Sequence, residues 1–236
     1  MNLQDSVVFI TGANRGLGLA FAKAALAAGA RKVYGAARDA STVTLAGVTP
    51  VALDVTKPDQ IEAAARACGD VNVLVNNAGI SRGSNLLGAA SVDAARAELE
   101  TNFFGPWLLA RAFAPVLARN GGGAIVNVLS ALTWTTFPSV ATYSATKSAA
   151  WSLSNGLRNE LAGQGTQVVS VHVGYMDTDM AAHVDAPKTS PDDVARQAFE
   201  AVKTGGVEVL ADEVSRQLKQ GLSSPNPPYA ASAVAA

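Results

Sequence analysis

Cysteine is almost missing from this 236-residue chain. The lone Cys68 excludes an internal disulfide and any cysteine-built metal cluster. Histidine is nearly as scarce, since His172 and His183 are the only two; that is too few for an imidazole metal site, and each reads as structural. Aromatic residues make up 6% and charged residues 16%, against 49% apolar. The core must therefore be assembled mainly from Ala, Val and Leu, as in a buried parallel sheet flanked by helices. Net charge is −1 with acids and bases scattered, and the missing basic run argues against nucleic acid as a partner. No stretch is long and charge-free enough to span a bilayer. The opening "MNLQDSVVFITG" carries an acid at Asp5 and only a brief apolar run, so it does not read as a signal peptide. The expectation is a soluble, cytoplasmic protein that uses neither membrane nor metal.

What the chain does have is alternation. Short apolar runs at 6–11, 32–37, 50–54, 72–79, 123–130, 167–173 and 206–211 read as strands. Between them lie Ala-rich helical stretches: Leu17 to Ala28 closed by Gly29, Pro58 to about Cys68, and Ser91 to Arg119, the last bent or interrupted at Pro106 and Pro115. Tyr143 to Leu161 is helical with an apolar stripe of Ala150, Leu153, Leu157 and Leu161. "SPDD" at 190–193 starts a helix with Ser190 as its cap, and a short helix follows Asp212. Strand and helix in alternation predict right-handed βαβ units. The expected fold is α/β: a Rossmann-like doubly wound parallel sheet of about seven strands, with a dinucleotide crevice at the strands' carboxyl ends. Residues 1–222 form one catalytic domain. The Pro-, Ser- and Ala-rich 223–236 reads as a flexible tail or a partner-dependent extension.

The first strand runs into "TGANRGLG" at 11–18. A tight strand-to-helix turn whose backbone touches phosphate oxygens needs residues without Cβ, supplied by Gly12, Gly16 and Gly18, and the helix N-terminus behind them favours an anion. The second strand ends in "AARD", where an NAD-selective crevice would carry a carboxylate for the ribose 2′-hydroxyl. Arg38 stands there instead, and Arg15 lies in the glycine loop. Guanidinium groups grip a 2′-phosphate in bidentate fashion, which favours NADP(H) over NAD(H). The alternative is that both arginines are solvated, with Asp39 cancelling Arg38.

Ser130 ends the fifth strand, Tyr143 follows thirteen residues later and Lys147 four after that. Tyr143 and Lys147 share one helix face, about 6 Å apart along the axis. Alone they would pass for a surface pair. With "TGANRGLG", "NNAG" at 76–79 and Asn102, the set resembles the short-chain dehydrogenase/reductase family from about residue 7 to 180.

The resemblance implies an NADP(H)-dependent oxidoreductase that moves a hydride between the cofactor and a ketone, aldehyde or secondary alcohol. Tyr143 would donate the proton, Lys147 would lower the phenol's pKa and hold the nicotinamide ribose, and Ser130 would hydrogen-bond the substrate oxygen. Asn102 would anchor a water in the proton relay. Gly12, Asn14, Arg15, Gly16, Leu17, Gly18 and Arg38 would hold the cofactor. Asp54 and Val55 would lie beside adenine, and Asn76, Ala78 and Gly79 beneath the adenosine half. "GYMDTDM" at 174–180 would contribute Gly174 and Thr178, although Val173 replaces a proline common in the family. The pocket would be lined by 81–85, by the stretch after Ser130 and by Tyr175. Trp134 reads either as a pocket wall suited to apolar substrates or as a core anchor. The family's habit of pairing the 91–119 and Tyr/Lys helices implies a homo-oligomer, tetramer or dimer, with Trp107 and Trp151 available for contact. An NAD-linked alcohol dehydrogenase and a non-catalytic NADP(H)-binding regulator are the alternative functions.

Overall fold

The structure is a computed structural model describing residues 1–230. Seven strands form one wholly parallel sheet in the order β3-β2-β1-β4-β5-β6-β7. They span Val7–Thr11 (β1), Lys32–Ala37 (β2), Val48–Ala52 (β3), Val73–Asn76 (β4), Gly123–Val128 (β5), Thr166–His172 (β6) and Glu208–Leu210 (β7). The helices are Gly16–Ala27 (α1), Pro58–Ala67 (α2), Ser91–Leu99 (α3), Gly105–Arg119 (α4), Ala141–Leu161 (α5), Pro191–Thr204 (α6) and Glu213–Gly221 (α7).

Successive residues of β1 serve opposite faces, as the period of two demands. Val8 and Ile10 join Leu17 and Phe21 of α1 and Val194, Ala198 and Phe199 of α6 in one core layer. Val7 and Phe9 join Ile61 of α2, Leu109 and Phe113 of α4 and Leu157 of α5 in the other. Both faces of the sheet are thus covered, which is why its central strands read as unbroken apolar runs. The sheet order reverses between β1 and β4, and their carboxyl ends open the crevice.

Several boundaries depart from expectation. The third strand lies two residues earlier than the 50–54 run, because β3 is an edge strand whose pairing with β2 sets its extent; Pro50 is tolerated on that edge. The long helix is not simply bent at its prolines. Five residues, Glu100–Phe104, form a π-helical turn between α3 and α4, and Pro106 falls harmlessly in the first turn of α4. Ser190 makes no side-chain cap on α6, whose start is marked by Pro191 and the acids Asp192 and Asp193. Gly29 (φ +80°) does follow α1, and Asp212 caps α7 through the Ser215 N–H.

A buried polar chain ties the sheet to α5. Asn76 Nδ2 donates to Asn127 Oδ1 (2.8 Å), Asn127 Nδ2 to Ser154 Oγ (2.9 Å), and Ser154 Oγ to the Ala150 carbonyl (2.7 Å). Past α7, Pro228 returns against Gly221. Residues 231–236 of the expected tail lie outside the described residues. Among the described residues no helix is long and apolar enough to cross a membrane.

Candidate active site

Beyond Thr11 the chain turns at once into α1. Gly12 sits at φ +66°, and a Cβ there would lie 3.1 Å from the Asn77 amide. At Gly18 a Cβ would lie 2.0 Å from the Gly12 carbonyl oxygen, a separation no side chain tolerates. The loop therefore folds directly onto the first helical turn, with Leu17 buried beneath it. That turn holds no acidic residue and no side chain caps it, so its N–H groups are left for an anion. A cradle this shallow and positively polarised fits a dinucleotide pyrophosphate, with Asn14, Arg15 and Gly16 along its rim.

Two residues that sequence reasoning passed over hold the cradle. Thr11 Oγ1 accepts from the N–H groups of both Asn77 and Ala78 (3.0 Å each). Asn77 Nδ2 donates to the Thr11 carbonyl (2.9 Å). The doubled asparagine of "NNAG" was the available signal. Asn76, expected beneath the adenosine half and in support of the sheet, bonds Asn127 in the buried chain that ties β4 to β5.

α5 begins two residues earlier than expected, which puts Tyr143 in its first turn and Lys147 one turn on. Lys147 is buried, and its ammonium donates to the Val128 carbonyl (2.9 Å), leaving two of its three donors. Bare backbone at Gly79 allows close approach: a Cβ there would lie 3.3 Å from Asn102 Oδ1 and 3.7 Å from Lys147 Nζ. Ser130 Oγ accepts from the Leu132 N–H (3.1 Å), and its hydroxyl is near enough to the Tyr143 phenol to draw the phenol's pKa downward. Four residues remote in sequence thus meet around one corner of the crevice.

Asn102 sits in the π turn, and its side chain is fully engaged. Oδ1 accepts from the Ile80 N–H (2.9 Å), while Nδ2 donates to the Ile80 carbonyl (2.9 Å) and Thr146 Oγ1 (3.0 Å). It clamps the end of β4 to α5.

Burial sets the acidity of the pair. It lifts the Tyr143 phenol to about 12, with the Ser130 hydrogen bond pulling downward and the charge of Glu98 adding to the rise. It also drops Lys147 to about 8. The expected lowering of the phenol by Lys147 is therefore overturned in this arrangement. The cost of dehydrating a phenolate outweighs an ammonium that stands 5.5 Å from the ring centroid.

Residues 6–189 match the family model described as short chain dehydrogenase. The chain belongs to the short-chain dehydrogenase family. The crystal structure of a short chain dehydrogenase from Burkholderia cenocepacia J2315 in complex with NADP is 39% identical, covers 96% of each chain and superposes with a TM-score of 0.91. A 3-ketoacyl-(acyl-carrier-protein) reductase from Brucella melitensis complexed with NADH is 27% identical, covers 88% of this chain and 96% of its own, with a TM-score of 0.81. The short chain dehydrogenase tazN of Aspergillus terreus is 36% identical over 203 residues, 79% of this chain but only 44% of that protein's length. The chain is accordingly an oxidoreductase of this family with a nicotinamide dinucleotide site.

The remaining residues of the family pattern divide between the crevice and its supports. Arg38 is exposed at the end of β2 and makes no ion pair among the described residues. Asp39 makes no ion pair with it; its carboxylate accepts from the Ser41 N–H and hydroxyl (3.0 and 2.7 Å). Arg15 pairs with Asp179 across the crevice mouth (2.6 Å), both largely exposed. Asp54 turns onto Thr56, accepting from its N–H and hydroxyl (2.9 and 2.8 Å). Val55 is buried against Gly105. Replacement of proline by Val173 leaves β6 in register: its carbonyl accepts from the Ala131 N–H (2.9 Å). Gly174 is then held by Asp212, another residue not foreseen, whose Oδ2 takes the Gly174 N–H at 2.6 Å. Thr178 packs its methyl over Gly16. Tyr175 is exposed. Trp134 is not; it is 8% exposed and stacked on His172, an anchor of the core rather than a wall of the pocket.

Gly18→Ala is expected to fold but to bind NADPH at least tenfold more weakly, because a methyl group at that point must push the Gly12 carbonyl out of the cradle. Fluorescence titration with NADPH and a circular-dichroism spectrum check both halves.

Proposed function

We propose that the chain is an NADP(H)-dependent ketone or aldehyde reductase. The observation that carries this reading is the placement of the Tyr143 phenol in the first turn of α5, next to Ser130 and one turn from the buried ammonium of Lys147 that Val128 holds. When bound, the nicotinamide supplies a hydride to the carbonyl carbon. Everything else falls to the chain. Ser130 Oγ donates to the carbonyl oxygen and polarises it. Tyr143, raised to about 12, carries its proton through the whole working range and delivers it to the alkoxide. The phenolate left behind lies one turn from the Lys147 ammonium and in the positive first turn of α5, both of which stabilise it. An acid held neutral suits reduction better than oxidation, which must begin from phenolate. Asn102 acts by holding β4 against α5, with both of its amide N–H donors committed to that contact.

The preference for NADP(H) is supported by Arg38, exposed and free of Asp39 at the position that would meet a 2′-phosphate. Arg15 joins it once Asp179 yields. The exposed apolar residues Phe137, Met180 and Tyr175, from the segments that follow Ser130 and Gly174, favour an apolar substrate. A homo-oligomer, tetramer or dimer, is supported by a patch on α4 and the turn before it, where Phe104 and Trp107 are exposed and stack against each other with Phe103 alongside. The reading places the protein in the cytoplasm.

NADPH oxidation at 340 nm over a panel of ketones and aldehydes tests the activity. Tyr143→Phe should bind NADPH normally and lose turnover by ~10²- to 10⁴-fold. Wild type that binds NADPH and reduces nothing on the panel would favour a regulator instead. Arg38→Asp should weaken NADPH binding by about tenfold or more, through loss of charge-assisted hydrogen bonds, and leave NADH binding unchanged. Equal effects on both cofactors would contradict the phosphate role.

A further inference from the structure

His172 ends β6 with no surface exposed, and its ring is fixed on every side. Nδ1 lies 3.2 Å from the Ser130 carbonyl oxygen. A carbonyl oxygen offers only lone pairs, so this contact is favourable only with the hydrogen on Nδ1. Nε2 lies 3.5 Å from Glu208 Oε1, an ion-pair separation rather than a firm hydrogen bond. The same carboxylate oxygen takes the Lys219 ammonium at 3.0 Å. The indole of Trp134 stacks on the imidazole at 4.1 Å and 22°. Trp151 of α5 meets that indole edge-on, and Lys219 of α7 sits over both rings at 4.9 and 5.2 Å. Residues from β7, α5 and α7 therefore converge on one imidazole whose other edge touches the main chain of Ser130.

We propose that His172 is a positioning residue for Ser130: its Nδ1–H grips the Ser130 carbonyl and thereby fixes Oγ beside the Tyr143 phenol, while the stacked Trp134 indole orients the ring. The inference rests on reading Ser130 and Tyr143 as the groups that handle the substrate oxygen. His172 touches neither substrate nor cofactor and acts through the serine. Misplacement of a catalytic group by an ångström costs on the order of a hundredfold in rate, so a serine anchored at its own carbonyl is worth a buried imidazole.

Two substitutions separate the hydrogen bond from the packing. His172→Phe keeps a ring on Trp134 and removes the donor; His172→Asn keeps a donor near the Nδ1 position and removes the ring. Once wild-type turnover with NADPH is established, His172→Phe should lose about tenfold in kcat with its KM for NADPH and its Tm little changed. His172→Asn should recover most of that kcat despite a lower Tm. A merely structural histidine would show the reverse order, and His172→Phe with wild-type kcat would overturn the proposal. Wild type without turnover would count against the catalytic reading alone. Nitrogen-15 NMR of the wild-type ring then decides the positioning contact: a proton on Nδ1 supports it, and a ring protonated only at Nε2 overturns it.

Discussion

The site depends on a half-buried phenol and a buried ammonium set one helical turn apart, each largely stripped of water. Dehydration pushes each toward its neutral form, up to about 12 for Tyr143 and down to about 8 for Lys147. The protein offsets this with specific partners: the Val128 carbonyl for the ammonium and the Ser130 hydroxyl for the phenol. What results is an acid that keeps its proton until a stronger base forms beside it, with a cation waiting to receive the charge. That ordering of proton and charge is what a carbonyl reduction needs from its protein.

The rest of the fold keeps that corner in shape. Asn102 holds the end of β4 to α5 through Ile80 and Thr146. The Asn76–Asn127–Ser154 chain holds β4 and β5 to the same helix one layer deeper. Thr11 and Asn77 join the glycine loop to the end of β4, so the cofactor cradle and the catalytic corner share one piece of backbone. Asp212 does the same from the other side, capping α7 while holding Gly174. None of these side chains needs to touch a substrate to matter for turnover.

Much of this was legible in the chain. Val- and Ile-rich runs marked buried parallel strands, and the spacing of Ser130, Tyr143 and Lys147 marked the group proposed as catalytic, because both signals are local. What escaped depends on distant partners. The π turn exists because Asn102 is clamped by residues 22 and 44 positions away; from sequence, the prolines nearby were the more visible cause of a break. Thr11 and Asn77 find each other across 66 positions. Trp134 looked equally suited to pocket and core until His172 was seen beneath it. The direction of the Tyr143 shift was missed for the same reason: a lysine four residues away is written in the sequence, but the burial that overrides it is not.

The central claim is that the phenol is held protonated while the lysine titrates near 8. It is tested most directly by the pH dependence of kcat/KM for NADPH-dependent reduction of a substrate that does not itself titrate. The ammonium of Lys147 is present below its value of about 8 and lost above it, while Tyr143 keeps its proton to about 12. The rate should therefore be level at lower pH and fall as pH rises through about 8, with Lys147→Met lacking that fall. A rate that climbs through the same interval, or stays level to pH 10 in the wild type, would contradict the account.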